Sequence, residues 1–326
     1  MTPFTSILVA TDLSIDGHNA MHRAALLAHE HGARLQLVHV LDPAGSQALR
    51  GRFRSSTDFD LEAARARAAL RRCAVEMAGR YDVSASVELK LGAPLETLMQ
   101  AAEHAELLVV GRRMRGRFSA LWTGRGVDRL LGTCRRPVLV VKTPAAAAYR
   151  RLLVPLDFTA PADATVQAAA RLALDSDVQV FHVINSHREA VLRDSDVPEH
   201  LIRESRLRQE AGVIARLHRK AARLGLDHRR TGFAVAHGHP VDSILSHAHR
   251  LGADLIVAGK QQRSTLGEVL LGSVSRRVLA ECRCDMLIVP QPGKHAPAHA
   301  TPPPWRPAQP TAPAGHAAPV WPGRVA

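Results

Sequence analysis

A polar, glycine-bounded loop late in the chain carries the residues best suited to chemistry. Gly259 opens it directly after a hydrophobic run, and Gly272, Ser273 and Val274 close it where a helix is expected to begin. A helix start presents unpaired amides and the positive end of its dipole, and a serine hydroxyl adds a further donor. Glycine there lets the backbone approach a phosphate. The plainer alternative is that Ser273 simply N-caps the helix. An aspartate follows an earlier hydrophobic run, and the carboxylate of Asp157 has the chemistry to accept hydrogen bonds from a base amino group or a ribose hydroxyl. The first half of the chain holds the same pieces in Asp12, Gly111 and Gly124, with Arg125 where the serine would be. There too a second reading is open, in which Asp12, Ser14 and Asp16 cap the following helix.

These correspondences are part of a repeat that runs through most of the chain. ILVATDLS returns as LLVPLDFT, QLVHVLD as VFHVIN, and RRPVLVVK as RCDMLIVP. Paired positions stay in order, with an offset that drifts only from 145 at Asp12/Asp157 to 148 at Gly111/Gly259. A repeat of that size is a whole domain. The expected division is 1–143, a linker at 144–150, 151–290, and a tail at 291–326. The tail holds ten of the twenty prolines and no acidic residue, so it is expected to be disordered.

Within each repeat, short β-branched or leucine-rich runs alternate with helix-length segments. In the first they are ILVA (7–10), RLQLVHV (34–40), SASVELK (84–90), LLVVG (107–111) and PVLVV (137–141). The second repeats them as LLVP, VQVFHVI, TGFAVA, DLIVAG and DMLIV. Apolar residues at Leu207, Ala211, Ile214, Leu217, Ala221 and Leu224 have helical spacing, with arginines between them. The expected fold class is α/β: two tandem doubly wound domains, each a five-stranded parallel sheet flanked by helices. Ligands of such sheets bind beyond the carboxyl ends of the strands, where strand order reverses. That is where the aspartates and glycine loops fall.

Composition narrows the function classes. The formal net charge is +13, and eight arginines against one acid, Asp128, lie between Gly111 and Arg136. Such a cluster can bind phosphate groups or an acidic protein partner, or remain a solvated loop. Nucleic-acid binding is expected at most as a secondary activity, since aromatic residues for base stacking are few and no recognition motif is present. His237, His239, His247 and His249 include two HxH pairs, but His247 and His249 fall on a helix, where residues two apart diverge, so no metal of its own is expected. Cys282 and Cys284 fall between a helix end and a strand, and the four cysteines are read as reduced thiols. No GxxxxGK[ST], GxSxG or HExxH pattern occurs. An enzyme is not expected, beyond slow incidental ATP hydrolysis. No apolar run is long enough to span a bilayer, so a cytoplasmic location and no membrane association are expected.

Both repeats resemble the universal stress protein domain, over nearly everything from Phe4 to Pro290. Nucleotide-binding members of that family carry GxxG, nine residues, then glycine followed by serine or threonine. Here Gly259, Gly272 and Ser273 match, with Gln262 at the second glycine; Gly111 and Gly124 match in the first repeat, with Met114 and Arg125 at the remaining positions. The resemblance implies ATP or another adenine nucleotide as ligand. It assigns Asp157 and the backbone of Val183 to the base, and Gly259, Gly272, Ser273 and Val274 to the ribose and phosphates. The weaker set in the first repeat is Asp12, Val40, Gly111, Gly124 and Arg125. It also implies pairing through the last strands, which within one chain would make PVLVVK and DMLIVP an internal pseudo-dimer. The function so implied is a cytoplasmic stress-response regulator that senses nucleotide through its second domain. The alternative is a scaffold that uses its basic loops to engage an acidic protein or nucleic acid.

Overall fold

The computed structural model describes residues 2–42, 56–112, 125–158, 162–172, 174–185, 198–260 and 271–290. Gly124, Met114 and Gln262, most of the arginine-rich loop, the side chain of Arg125, and the tail expected to be disordered lie outside the described residues.

The first half runs β1 (Ser6–Ala10), α1 (Ile15–His31), β2 (Arg34–Leu41), α2 (Ser56–Tyr81), β3 (Ala85–Leu91), α3 (Pro94–Ala102), β4 (Leu107–Gly111), α4 (Arg125–Thr133) and β5 (Val138–Val141). The second half repeats this series as β6 (Arg151–Pro155), α5 (Ala162–Leu172), β7 (Asp177–Ile184), α6 (Glu199–Arg223), β8 (Thr231–His237), α7 (Pro240–Leu251), β9 (Leu255–Gly259), α8 (Ser273–Glu281) and β10 (Asp285–Val289). The strand order is β3-β2-β1-β4-β5-β10-β9-β6-β7-β8. Pairing is parallel within each half. At the centre β5 and β10 run antiparallel, with Val138, Leu139 and Val140 opposite Ile288, Leu287 and Met286. The expected pairing of PVLVVK with DMLIVP is therefore present, and it turns two five-stranded sheets into one of ten.

The central strands alternate between two apolar layers, as strands covered on both faces must. Ile7, Val9, Leu107, Val109, Leu139, Leu287, Val257 and Leu152 face one side, where α1, α2, α5 and α6 pack. Leu8, Ala10, Leu108, Val140, Met286, Ile256 and Leu153 face the other, against α3, α4, α7 and α8. Each layer is continuous through both halves, so neither domain has a core of its own. On α6 the buried stripe is Ile202, Val213, Leu217 and Ala221, which keeps Leu217 and Ala221 of the one expected from spacing and departs from it toward the N-terminus. Leu207 is 65% and Ile214 38% exposed. The helix is long enough that residues 203–209 lie away from the sheet, and burial follows what is available to pack against.

Polar contacts lock the joint. Asp285, fully buried, accepts from Lys142 N at 2.8 Å, Thr143 N at 3.0 Å and Thr143 Oγ1 at 3.0 Å through Oδ1, and from Tyr149 Oη at 2.5 Å through Oδ2. Arg23 Nε lies 3.5 Å from Oδ2, and its guanidinium covers the Tyr149 ring at 4.0 Å. The connection between the halves is thus held by α1 and the start of β10. Lys260, buried at the end of β9, donates to the carbonyls of Leu131, Gly132 and Cys134 at 2.8, 2.6 and 2.7 Å, closing the C-terminus of α4 in the other half. Burial pushes its pKa down to about 8, so near neutral pH it remains an ammonium with three donors for three carbonyls.

Candidate functional site

Strand order reverses between β1 and β4 in the first half and between β6 and β9 in the second, which places a crevice at the carboxyl ends of each pair. Asp12 and Asp157 follow β1 and β6, and Gly111 and Gly259 end β4 and β9, so topology brings these four predicted positions to the two crevices. Each aspartate loop is hooked by a histidine from the neighbouring strand. His39 Nδ1 lies 2.7 Å from Thr11 O, and His182 Nδ1 2.7 Å from Leu156 O. Sequence reasoning missed these two residues. Their signal was present in the matched VHV and FHV of the two repeats, but no chemistry had been attached to it.

In the first half, Asp12 takes part in the capping reading. Its Oδ1 accepts from Ser14 N at 3.0 Å and Ser14 Oγ at 2.5 Å, while Ser14 N-caps α1 by accepting from Gly17 N at 3.2 Å. Its Oδ2 is buried and has no hydrogen-bond partner among the described residues. The turn holds Leu13 at φ 61°, a left-handed conformation that costs a branched residue about 1–3 kcal/mol and persists where the surroundings impose it. Gly111 has a packing reason of its own. A Cβ there would lie 2.4 Å from the Asp16 carbonyl oxygen, so glycine is required for α1 to start against the end of β4. Val40 is buried in β2, beyond the last β2 residue registered with β1, which is Val38.

The second half differs at one strand. β1 registers with β4 over four residues, up to Ala10 opposite Val110, whereas β6 registers with β9 only at Leu152 and Leu153. Pro155 accounts for the difference. Leu156 N donates to Phe181 O of β7, and donors alternate in direction along a strand, so the N–H of residue 155 would point at β9. Proline has none. Ala10, the matched residue, retains it. The β6–β9 ladder therefore stops at Leu153, two residues before the end of β6 at Pro155, and the end of β9 receives no donor from β6.

A cleft of about 800 Å3 lies between the carboxyl end of β7 and α6, lined by Phe158, His182, Val183, Asn185, Arg216 and Arg219 among others. Val183 sits past Phe181, the last β7 residue registered with β6, so on that side no β6 residue is registered against it. Asp157 is exposed at the cleft's edge beside Phe158. Arg216 covers the Phe158 ring at 3.9 Å, and Phe158 packs on His182 with ring centroids 4.6 Å apart. Burial, and then Arg216, depress the His182 pKa, which keeps the ring neutral as it hooks the Leu156 carbonyl. Gly259, Gly272, Ser273 and Val274 do not line this cleft; they lie where β9 ends and α8 begins. Gly272, not Ser273, is the N-cap residue of α8, and no side chain caps it among the described residues. The reading of Ser273 as N-cap is thus corrected: it is the first helical residue. Ser275 Oγ, 3.4 Å from Gly259 O, ties the helix start to the strand end.

Other candidates resolve structurally. His247 stacks on Phe181 at 4.2 Å and lies 2.9 Å from Gln179 Oε1, while His237 lies 2.9 Å from Glu210 Oε1. No group of three metal-ligating side chains occurs among the described residues. No helix among them is long and apolar enough to cross a membrane.

Comparison with known proteins agrees with this architecture. A family model described as the universal stress protein family matches residues 3–142 and again 148–290. Universal stress protein YxiE of Bacillus subtilis is 32% identical over 150 residues, 43% of this chain and 99% of that protein. A universal stress protein of Mycolicibacterium smegmatis is 26% identical over 297 residues, 87% of this chain and 96% of its own. A crystal structure of a universal stress protein from Archaeoglobus fulgidus superposes with a TM-score of 0.62 at 18% identity, covering 87% of this chain and 98% of that one, a likeness in fold.

Proposed function

The chain belongs to the universal stress protein family, with two family domains in tandem, and from that premise we propose that it is a cytoplasmic regulatory protein that binds an adenine nucleotide in its second half. The observation that carries this reading is the cleft at the carboxyl end of β7, lined by Phe158, His182 and Val183, beside the point where the β6–β9 ladder stops. The residues present fit such a ligand. Asp157 would accept from the base or ribose, and the Val183 peptide would meet the base edge. The uncapped start of α8 at Gly272, with the Ser273 hydroxyl, would hold phosphate oxygens. Arg216 and Arg219 add positive charge on the cleft wall. The first half keeps Asp12 but uses Gly111 for packing and has Arg125 in place of the serine, so its role in this reading is chiefly structural.

No acid–base pair is assigned to these positions, so the proposal is a sensor whose occupied and empty states differ in partner affinity, with any ATP hydrolysis slow. Titration of ATP into nucleotide-free protein at physiological salt tests it. Binding is expected for the wild type and is expected to be lost in Gly272→Trp, whose indole would fill the space at the helix start. Failure of the wild type to bind would leave the scaffold reading, in which the arginine-rich segment engages an acidic partner.

A further inference from the structure

All four cysteines are free thiols, and two of them share one place at the joint between the halves. Cys282 is the C-cap residue of α8, and Cys284 immediately precedes β10. Lys142, arriving from the end of β5, points its ammonium at this spot. Its Nζ lies 3.1 Å from Cys282 Sγ and 2.9 Å from Cys282 O, and it also bonds the Leu279 carbonyl. A helix C-terminus normally disfavours a thiolate, because its carbonyls present negative charge. Here one cation meets the carbonyls and the sulfur together. The hydrogen bond from the Cys284 thiol and the charge of Lys142 hold the Cys282 thiol below the usual range, against burial and Asp285, which push it up. Cys284 is pushed up by that same hydrogen bond and by burial. The pair thus combines an acidic sulfur with a protonated thiol two residues away; Cys282 is buried, with its Sγ 3.5 Å from Cys284 O, while Cys284 is only partly buried, so solvent reaches the pair from the Cys284 side. Cys73 and Cys134 are buried as Cys282 is, but for them burial prevails and raises both.

We propose that Cys282 and Cys284 form a peroxide-reactive dithiol, in which Cys282 is oxidised first and Cys284 resolves it to an intrachain disulfide. The Cys282 sulfur attacks one oxygen of hydrogen peroxide; the O–O bond breaks, the other oxygen leaves as water after taking a proton, and Cys282 becomes a sulfenic acid. The Cys284 sulfur then attacks the Cys282 sulfur, the S–O bond breaks, and the hydroxyl leaves as water with the Cys284 proton. The two thiols supply the two electrons that reduce the peroxide. Oxidation changes the sulfur that Lys142 faces, so the change is made directly at a contact between the two halves.

Reduced full-length protein treated with equimolar hydrogen peroxide and mapped by mass spectrometry tests this. The expected product is a Cys282–Cys284 peptide lighter by two hydrogens, with Cys73 and Cys134 still thiols. In Cys284→Ser, dimedone is expected to trap a sulfenic acid on Cys282; in Cys282→Ser, Cys284 is expected to stay reduced on the same timescale. The pH profile of iodoacetamide alkylation of wild-type Cys282 needs no variant, and its midpoint is expected below about 7.5. Lys142→Met is expected to move that midpoint upward and Lys142→Arg to keep it low. Consumption of Cys73 or Cys134 as fast as Cys282, or an alkylation midpoint at about 8.5 or above, would overturn the proposal.

Discussion

At the scale of single residues, the two halves use the same side chains under different constraints. Gly111 shows this most directly, because packing requires it whether or not a ligand binds. Gly111→Ala would drive a Cβ into the Asp16 carbonyl and is expected to cost about 1–3 kcal/mol in urea denaturation, with or without ATP. An unchanged midpoint would show that α1 can move aside. Asp285 is the larger test. It is fully buried with Arg23 and receives four hydrogen bonds, so Asp285→Ala is expected to destabilise by about 3–5 kcal/mol, chiefly by leaving Arg23 buried without its partner. A loss below about 1 kcal/mol would mean the joint does not depend on it. His31 supplies a pH dependence. Its Nδ1 accepts from Phe4 N at 3.2 Å, and burial, then Arg171, hold its pKa below 6.5. As pH falls through about 6.5 the unfolded chain takes up the proton first, so stability is expected to drop there. Thermal midpoints at pH 7.5 and 5.5 should differ less in His31→Gln than in the wild type; an equal or larger difference would contradict the assignment.

At the scale of elements, the strands were legible and the details of their ends were not. Runs such as LLVVG and DMLIV coincide with β4 and β10 because β-branched and leucine residues buried on both faces leave little choice. The aspartates and glycines of the site could be placed at strand ends by the same logic. The stripe on α6 was misphased at Leu207 and Ile214, since spacing reveals a helix but not how much of it overhangs the sheet. Ser273 looked like a cap by residue type, yet Gly272 takes that position, a distinction made by backbone angles alone. Pro155 was read only as part of a matched strand; which way its missing N–H points emerges only from register. That direction makes a prediction. Pro155→Ala restores a donor toward β9 and is expected to extend the β6–β9 ladder into the ligand site, weakening ATP binding about tenfold, roughly 1.4 kcal/mol. Unchanged affinity by calorimetry would separate the shortened ladder from the ligand site.

At the scale of the whole molecule, duplication was the most readable feature, because repeated motifs in order leave one domain plan used twice. What the repeat could not convey is how far the halves have fused. Both apolar layers run through all the central strands, Lys260 closes a helix of the first half, and Lys142 closes one of the second. The two crevices have nonetheless diverged. Ala10 keeps β1 zipped to β4, and Gly111 packs against α1, whereas Pro155 ends the β6–β9 ladder two residues early. One chain is therefore expected to present one working nucleotide site, in a second half braced by the first. The most direct measurement is the amount and identity of nucleotide released when protein purified without added ligand is stripped and then reloaded with saturating ATP. The account predicts close to one equivalent of adenine nucleotide per chain. Two equivalents would show that the halves have not diverged in function, and none would remove nucleotide binding from the account.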